Sequence, residues 1–208
     1  MAGLDPRQAF FDALAPDWQD TAQRCDNLQA ILGVLHLTPG MRVLDLGCGT
    51  GWLARAIKRL TNGETSVIAA DLSRDMLKEG RRRSCSDAIP LCQADAHALP
   101  FAPATLDVVV VHAAFAHFRH KEEALRAIAD ALRPGGRLVI AHPASRSELR
   151  LLHRRVGPPV SQDILPPQAV LVRWLRNCHL SMLGYVDRPG LYLVVAAKQA
   201  PGSQHLQV

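Results

Sequence analysis

An α/β fold with a mostly parallel sheet is predicted by three features of this 208-residue chain. Val43, Leu44 and Leu46 form an apolar run too short for a helix, which passes into Gly47, Gly49 and Gly51 and then into helical spacing from Trp52 to Leu60. Leu106 to Val111 is almost wholly apolar, the pattern of a central parallel strand covered on both faces. Strand-like and helical segments alternate between and after these two, as in successive βαβ units. The first feature also predicts where a ligand sits, because a strand, a glycine turn and a helix N-terminus together make a site at the carboxyl end of a parallel strand.

Before the first strand, Phe10, Phe11, Leu14 and Trp18 recur at near-helical spacing, and Leu28, Ile31, Leu32 and Leu35 repeat the pattern, so two helices are expected. Pro16 breaks the first of them and Pro39-Gly40 closes the second. Val67 to Ala70 reads as the second strand, ending at Asp71, with Ser73 as N-cap of a helix from Arg74 to Arg83. Arg81, Arg82 and Arg83 end that helix where positive charge suits its dipole, and read as a solvated terminus. Ile89 to Gln93 is the third strand and Leu106 to Val111 the fourth, followed by a helix from Lys121 to Leu132. Arg133-Pro134-Gly135-Gly136 turns into a strand from Arg137 to Ala141. A helix from Arg146 to Val156, a proline-rich loop from Gly157 to Pro167, a helix from Gln168 to about Cys178, and strands near Met182 to Val186 and Leu191 to Ala197 complete the order. The polar tail from Gln199 to Val208 is expected to be disordered.

The length accommodates one α/β domain, here placed at residues 1–198, so binding and chemistry share one fold. Net charge is +5 and aromatic content 5%, which permits an anionic partner but leaves few rings for stacking on bases. No run approaches a membrane span and the N-terminus lacks a signal peptide's basic and apolar regions, so a cytoplasmic protein is expected. Cys25, Cys48, Cys85, Cys92 and Cys178 are odd in number and never spaced as Cys-x-x-Cys, which fits reduced thiols. Cys48 lies in the glycine turn, where a small residue packs best.

The turn is not that of a dinucleotide fold, whose third glycine would fall at position 52, where Trp52 stands. The string Arg42-Val43-Leu44-Asp45-Leu46-Gly47-Cys48-Gly49-Thr50-Gly51-Trp52 instead resembles the class I S-adenosylmethionine (SAM)-dependent methyltransferases, in particular the small-molecule branch called methyltransferase type 11. The charge logic agrees: a carboxylate at the strand end suits a sulfonium and an ammonium and would repel a pyrophosphate. Asp71 lies 26 positions after Asp45, about where a βαβ unit places an acidic side chain beside ribose hydroxyls.

The resemblance extends to Phe10, Phe11, Asp12, Leu14, Ala15, Pro16 and Trp18, to the loop from Ala94 to Phe101, and to Leu132 through Ile140. It implies a Rossmann-like seven-stranded fold, with an antiparallel terminal hairpin and helices on both faces, that binds SAM. The implied cofactor residues are Asp45, Gly47, Cys48, Gly49, Asp71, Leu72, Asp95, Ala96 and His112. Asp71 would accept from the ribose hydroxyls, Asp95 from the adenine amino group, and the Ala96 N–H would reach the ring. Residues 1–38 would form a helical lid, with Phe10, Phe11 and Trp18 either covering the cofactor or docking on the core, and residues 142–180 a substrate-side segment.

Methyl transfer requires a nucleophile held in line and, for a hydroxyl or carbon acid, a base of near-neutral pKa, for which histidine is suited. His117 after the fourth strand and His142 after the fifth are the candidate catalytic residues, and Trp18, Arg146 and His153 the candidate acceptor contacts. Arg146, Arg150 and Arg154 recur every fourth residue, either as a solvated stripe or as a clamp for an anionic acceptor. His97 is read as exposed, and the scattered histidines carry no metal-ligand spacing. The expected activity is methylation of a small molecule by a monomer or homodimer. The alternatives are an RNA or DNA methyltransferase, against which stands the lack of an Asn/Asp-Pro-Pro-aromatic string after the fourth strand, and a SAM-binding module without turnover.

Overall fold

The computed structural model describes residues 5–19, 28–83 and 89–200. The expectations for Cys25, Cys85 and the tail beyond residue 200 lie outside them. Seven strands form one sheet in the order β3-β2-β1-β4-β5-β7-β6. The parallel half consists of β1 (Arg42–Leu46), β2 (Ser66–Asp71), β3 (Leu91–Gln93), β4 (Leu106–His112) and β5 (Leu132–His142). Antiparallel β7 (Leu191–Lys198) then inserts between β5 and the edge strand β6 (Leu180–Arg188).

The helices fall where the apolar spacing put them. They are α1 (Pro6–Leu14), α2 (Leu28–Leu35), α3 (Trp52–Leu60), α4 (Arg74–Arg83), α5 (Lys121–Ala131), α6 (Arg146–Val156) and α7 (Gln168–Asn177). Pro16 ends α1 in a short 3₁₀ turn, Ala15–Asp17. Ser73 caps α4, its Oγ accepting from the Met76 N–H at 3.1 Å. Two apolar clusters cover the two faces of the sheet: Leu44, Val109, Val111, Phe115 and Leu125 belong to one, and Ile31, Leu35, Val43, Leu53 and Val110 to the other. Alternation along β1 and β4 thus supplies both layers.

Two boundaries differ from the sequence reading. Arg133-Pro134-Gly135-Gly136 lies inside β5: Leu132 already pairs with Leu106, and the register jumps before Arg137 pairs with Val108, so the expected turn is a bulge, with Gly135 at φ +77°. Gln199 belongs to the folded body, because its N–H donates to the His179 carbonyl at 3.0 Å and its side-chain amide to Ser181 Oγ at 2.8 Å.

The glycine turn is pressed between neighbours. An added Cβ on Gly47, which has φ +73°, would stand 2.3 Å from Ala114 Cβ, and one on Gly80 of α4 would stand 2.6 Å from the Thr50 carbonyl oxygen. Gly80→Ala is therefore expected to destabilise the protein by about 1 to 3 kcal/mol despite alanine's better helix propensity, because the obstacle is backbone. Chemical denaturation measures it; a variant as stable as the parent would show that α4 shifts freely off the turn.

Candidate active site

At the carboxyl ends of β1, β2 and β4 the chain opens into one cleft, floored by Asp45 to Gly49, Asp71 to Ser73 and His112 to Ala114, and walled by Asp95 to His97, Phe11, Trp18 and His117. About 1080 Å³ of space lies between its walls, part of it open solvent.

The two strand-end carboxylates are bound into the turn. Asp45 is 1% exposed and its Oδ2 accepts from the Ala54 N–H at 3.1 Å. Asp71 accepts from the Gly49 N–H at 2.7 Å through Oδ2 and from the Ser73 N–H at 2.8 Å through Oδ1. Burial pushes the Asp45 carboxyl up to about 7, with Asp71 adding to the rise against the backbone bond from Ala54 and the nearby Arg55. Burial also raises Asp71 above the usual carboxylate range. Two carboxylates held this way favour a cationic ligand, and the glycines beside them leave no Cβ in its path. Cys48 is buried, and burial lifts its thiol well above the ordinary value, so it fills space as a neutral group.

Asp95 and Ala96 stand on the opposite wall. Asp95 Oδ1 accepts from the His97 N–H at 2.9 Å and from His97 Nδ1 at 2.5 Å, and these bonds from His97 lower its pKa against the opposing effect of burial. His97 Nε2 accepts from the His120 N–H at 3.1 Å, which fixes the ring's proton on Nδ1. His97 is thus a half-buried bridge between two loops and not the exposed residue expected.

The side of the cleft around His117 is built on β4 and on loops distant in sequence. Ala113, in the left-handed region at φ +55°, turns the chain out of β4 into the 3₁₀ turn Phe115–His117, which carries His117 to the cleft. His117 Nδ1 donates to Asp163 Oδ2 at 2.8 Å, and Asp163, in the loop between α6 and α7, is 3% exposed. The same carboxylate accepts from Arg7 Nε at 3.1 Å on both oxygens and from Arg7 Nη2 at 2.5 Å on Oδ1. These bonds from His117 and Arg7 hold Asp163 below the usual carboxylate range although burial opposes them. His153 Nδ1 donates to the Asp163 carbonyl at 2.5 Å, and its ring stands 4.8 Å from that of His117. Phe11 meets the His117 ring edge-on at 5.0 Å.

Of the sequence-predicted residues, Asp45, Gly47, Cys48, Gly49, Asp71, Leu72, Asp95, Ala96, His112, Trp18 and His117 line this cleft. His142, His153 and Arg146 stand outside its lining. His142 is 1% exposed, its Nε2 has no hydrogen-bond partner among the described residues, and burial, then His117, His112 and His153, depress its pKa well below the ordinary value. His153 faces inward to hold the Asp163 loop. Arg146 joins elements instead of offering a clamp: its Nε donates to the Leu165 carbonyl at 3.3 Å and its N–H to Asp187 Oδ1 at 2.9 Å, while Arg150 and Arg154 are exposed. Asp163 and Arg7 were not among the residues singled out; they lie 46 and 110 positions from His117, and no local spacing joins them. Among the described residues, no group of three or more His, Cys, Asp or Glu side chains could hold a metal ion.

A family model described as a methyltransferase domain matches residues 43–136, from β1 into the β5 bulge. Over that stretch, a little under half of the chain, the protein is similar to methyltransferase domains. The ubiquinone/menaquinone biosynthesis C-methyltransferase UbiE of Ectopseudomonas mendocina is 40% identical over 106 residues, 49% of this chain and 41% of that protein, so the match spans less than half the relative's length. Among solved structures, a chain of the complex between the Haloferax volcanii Trm112 methyltransferase activator and a methyltransferase superposes with a TM-score of 0.77 at 21% identity, over 91% of this chain and 98% of that one. A SAM-dependent methyltransferase from Mesorhizobium loti gives 0.68 at 21% identity, over 86% and 99%. These superpositions establish the methyltransferase fold beyond the matched segment. The methyltransferase domain takes SAM as its cofactor, and the cleft fits it: the ligand carries two cationic groups and no phosphate, and the floor presents the buried carboxylate of Asp45 and the partly buried one of Asp71. A pyrophosphate would meet like charge there.

Proposed function

We propose that the protein methylates a small-molecule acceptor whose O–H or C–H proton is removed by His117, with Asp163 orienting the base. The observation that carries this reading is the bond from His117 Nδ1 to the buried Asp163 carboxylate at the wall of the cofactor cleft. A carboxylate on Nδ1 fixes the tautomer and leaves Nε2 as the basic nitrogen, the logic by which His–Asp pairs work in other enzymes.

When bound, SAM supplies an electrophilic methyl group on a sulfonium whose carbon–sulfur electron pair remains on sulfur. Asp45 and the Gly47 to Gly49 backbone would hold its methionine part, Asp71 the ribose and Asp95 with the Ala96 N–H the adenine. His112 reaches the same floor, with the Trp52 ring 5.5 Å from its own. Phe11, Trp18 and Trp52 give the acceptor space flat apolar walls, which suit a planar ring and exclude water. The C-methyltransferase name of the bacterial relative favours carbon as the atom methylated: loss of an O–H proton makes the adjacent ring carbon nucleophilic. The arginines of the cleft, Arg7 and Arg119, are engaged with Asp163 and Asp5, so nothing here requires an anionic acceptor. The described cysteines Cys48, Cys92 and Cys178 are free thiols, which suits a reducing, cytoplasmic setting.

Incubation with methyl-labelled SAM and fractionated cell metabolites tests the proposal, the expected result being label in a small molecule carrying a phenolic or carbon-acid group. Binding to RNA or DNA should be weak and should not direct label into the polymer. Tight binding that falls steeply with salt, together with methyl incorporation into nucleic acid, would overturn the small-molecule reading.

A further inference from the structure

α1 is tied to the body of the protein by polar contacts, since none of its residues from Pro6 to Leu14 is fully buried. Asp12 Oδ1 accepts from Ser73 Oγ at 2.6 Å and from the Asp75 N–H at 3.1 Å. Asp5 Oδ2, at the N-cap, accepts from Arg119 Nη2 at 2.9 Å. The third tie, Arg7 on Asp163, differs from these because its carboxylate also holds His117.

That sharing has an electrostatic consequence. Asp163 is 3% exposed, and one buried carboxylate balances one cation. With His117 neutral, Arg7 is that cation. A second proton on His117 places an imidazolium and a guanidinium on the same carboxylate, where they repel at short range in a poorly solvated space. The neighbours cannot absorb the charge: His153 of α6, His142 of β5, His112 of β4 and Lys121 at the start of α5 bring no negative group. Burial already depresses His142, His153 and Lys121, the last to about 8.

We propose that α1 is a lid latched by Arg7 on Asp163, and that protonation of His117 during methyl transfer loosens this latch, tying product release to completed proton transfer. The proposal rests on the reading of His117 as the base. In that step the acceptor's proton passes to His117 Nε2, the acceptor's electron pair takes the methyl group, and the products leave as the neutral demethylated cofactor and the methylated acceptor. The positive charge that entered on the sulfonium remains on His117 and acts against Arg7 until solvent takes the proton. Arg7 is a positioning residue here, acting through the Asp163 carboxylate that it shares with His117.

Hydrogen exchange on the full chain saturated with S-adenosylhomocysteine reads the latch without an identified acceptor. After correction for intrinsic exchange, protection of the α1 amides should fall about tenfold between about pH 8 and about pH 5.5 in the wild type. Because Asp71, whose carboxyl is raised by burial and by Asp12 of α1, also faces this helix and could loosen it at low pH, the deciding comparison is His117→Gln, in which the fall should shrink to under about twofold. Arg7→Gln should leave α1 weakly protected at both pH values, and Arg7→Lys, which keeps the charge but loses the fork, should restore part of the protection. Persistence of the full tenfold fall in His117→Gln would overturn the latch, as would wild-type protection in a folded Arg7→Gln; should Arg7→Gln not fold, the His117→Gln and Arg7→Lys comparisons decide alone. If the latch behaves as expected but His117→Gln still turns over at the wild-type rate, the base reading fails and the latch's electrostatics stand. An inactive His117→Gln together with pH-independent α1 protection in the wild type gives the converse: the base reading stands and the latch fails.

Discussion

Replacing His117 by glutamine is expected to lower turnover by about a hundredfold or more and to leave SAM affinity nearly unchanged, because proton removal matters in the transition state and not in cofactor binding. Single-turnover rates with the labelled acceptor, set beside calorimetric SAM affinity, separate the two. Asp163→Asn should lose rate in the same direction: an amide nitrogen facing Nδ1 favours the tautomer with the proton on Nε2, which cannot act as a base. His142→Gln should leave the rate nearly unchanged, since His142 is 1% exposed and stands outside the lining of the cleft. Full turnover in both His117→Gln and Asp163→Asn would remove the base from the mechanism and point to an acceptor that ionises unaided.

The part of the cleft formed by the strand ends was legible because its residues are local in sequence. The run from Val43 to Trp52, the acidic end of β2 and the loop from Ala94 to Phe101 each carry their geometry in a few adjacent positions, and a parallel sheet brings the ends of β1, β2 and β4 to one edge. His117 was legible for the same reason, as it follows β4 directly. Asp163 was not. It sits among Ser161, Gln162 and Pro166 in a loop whose composition reads as solvent-facing, and only tertiary packing buries it. Arg7, from the far end of the chain, had no apolar pattern to announce it.

The arginine series on α6 shows the converse failure. Spacing of four put Arg146, Arg150 and Arg154 on one side of the helix, but the capping box at Ser145 and Glu148 fixes the helix start so that Arg146 is drawn to Leu165 and Asp187 while the other two point to solvent. Periodicity predicted the helix correctly and said nothing about which side meets a ligand. The interior role on α6 falls to His153, one residue before Arg154, which anchors the loop that carries Asp163.

If Asp71 holds the ribose as proposed, removal of its carboxylate should weaken SAM binding by about 1 to 3 kcal/mol, roughly five- to 150-fold in the dissociation constant, because a charged acceptor is lost from two hydroxyls. Asp71 also takes the Gly49 and Ser73 N–H groups, so Asp71→Ala loosens the turn itself, and Asp71→Asn separates charge from shape. Asp45 adds a pH dependence whose sign follows from its position. Its pKa in the ligand-free protein is raised to about 7, chiefly by burial, so the stability this carboxyl contributes is present when it is protonated and is lost as pH rises through about 7. A cationic ligand favours the ionised form and reverses that loss. SAM affinity should therefore increase as pH rises from about 5.5 to about 7.5, by up to about tenfold per unit, and SAM should raise the melting temperature more at about pH 8 than at about pH 6. Asp45→Asn should bind more weakly at neutral pH and should lose the slope. Calorimetry across this range decides the point: a flat profile in the wild type, or the same slope in Asp45→Asn, would show that the carboxylate at the end of β1 does not sense the ligand's charge.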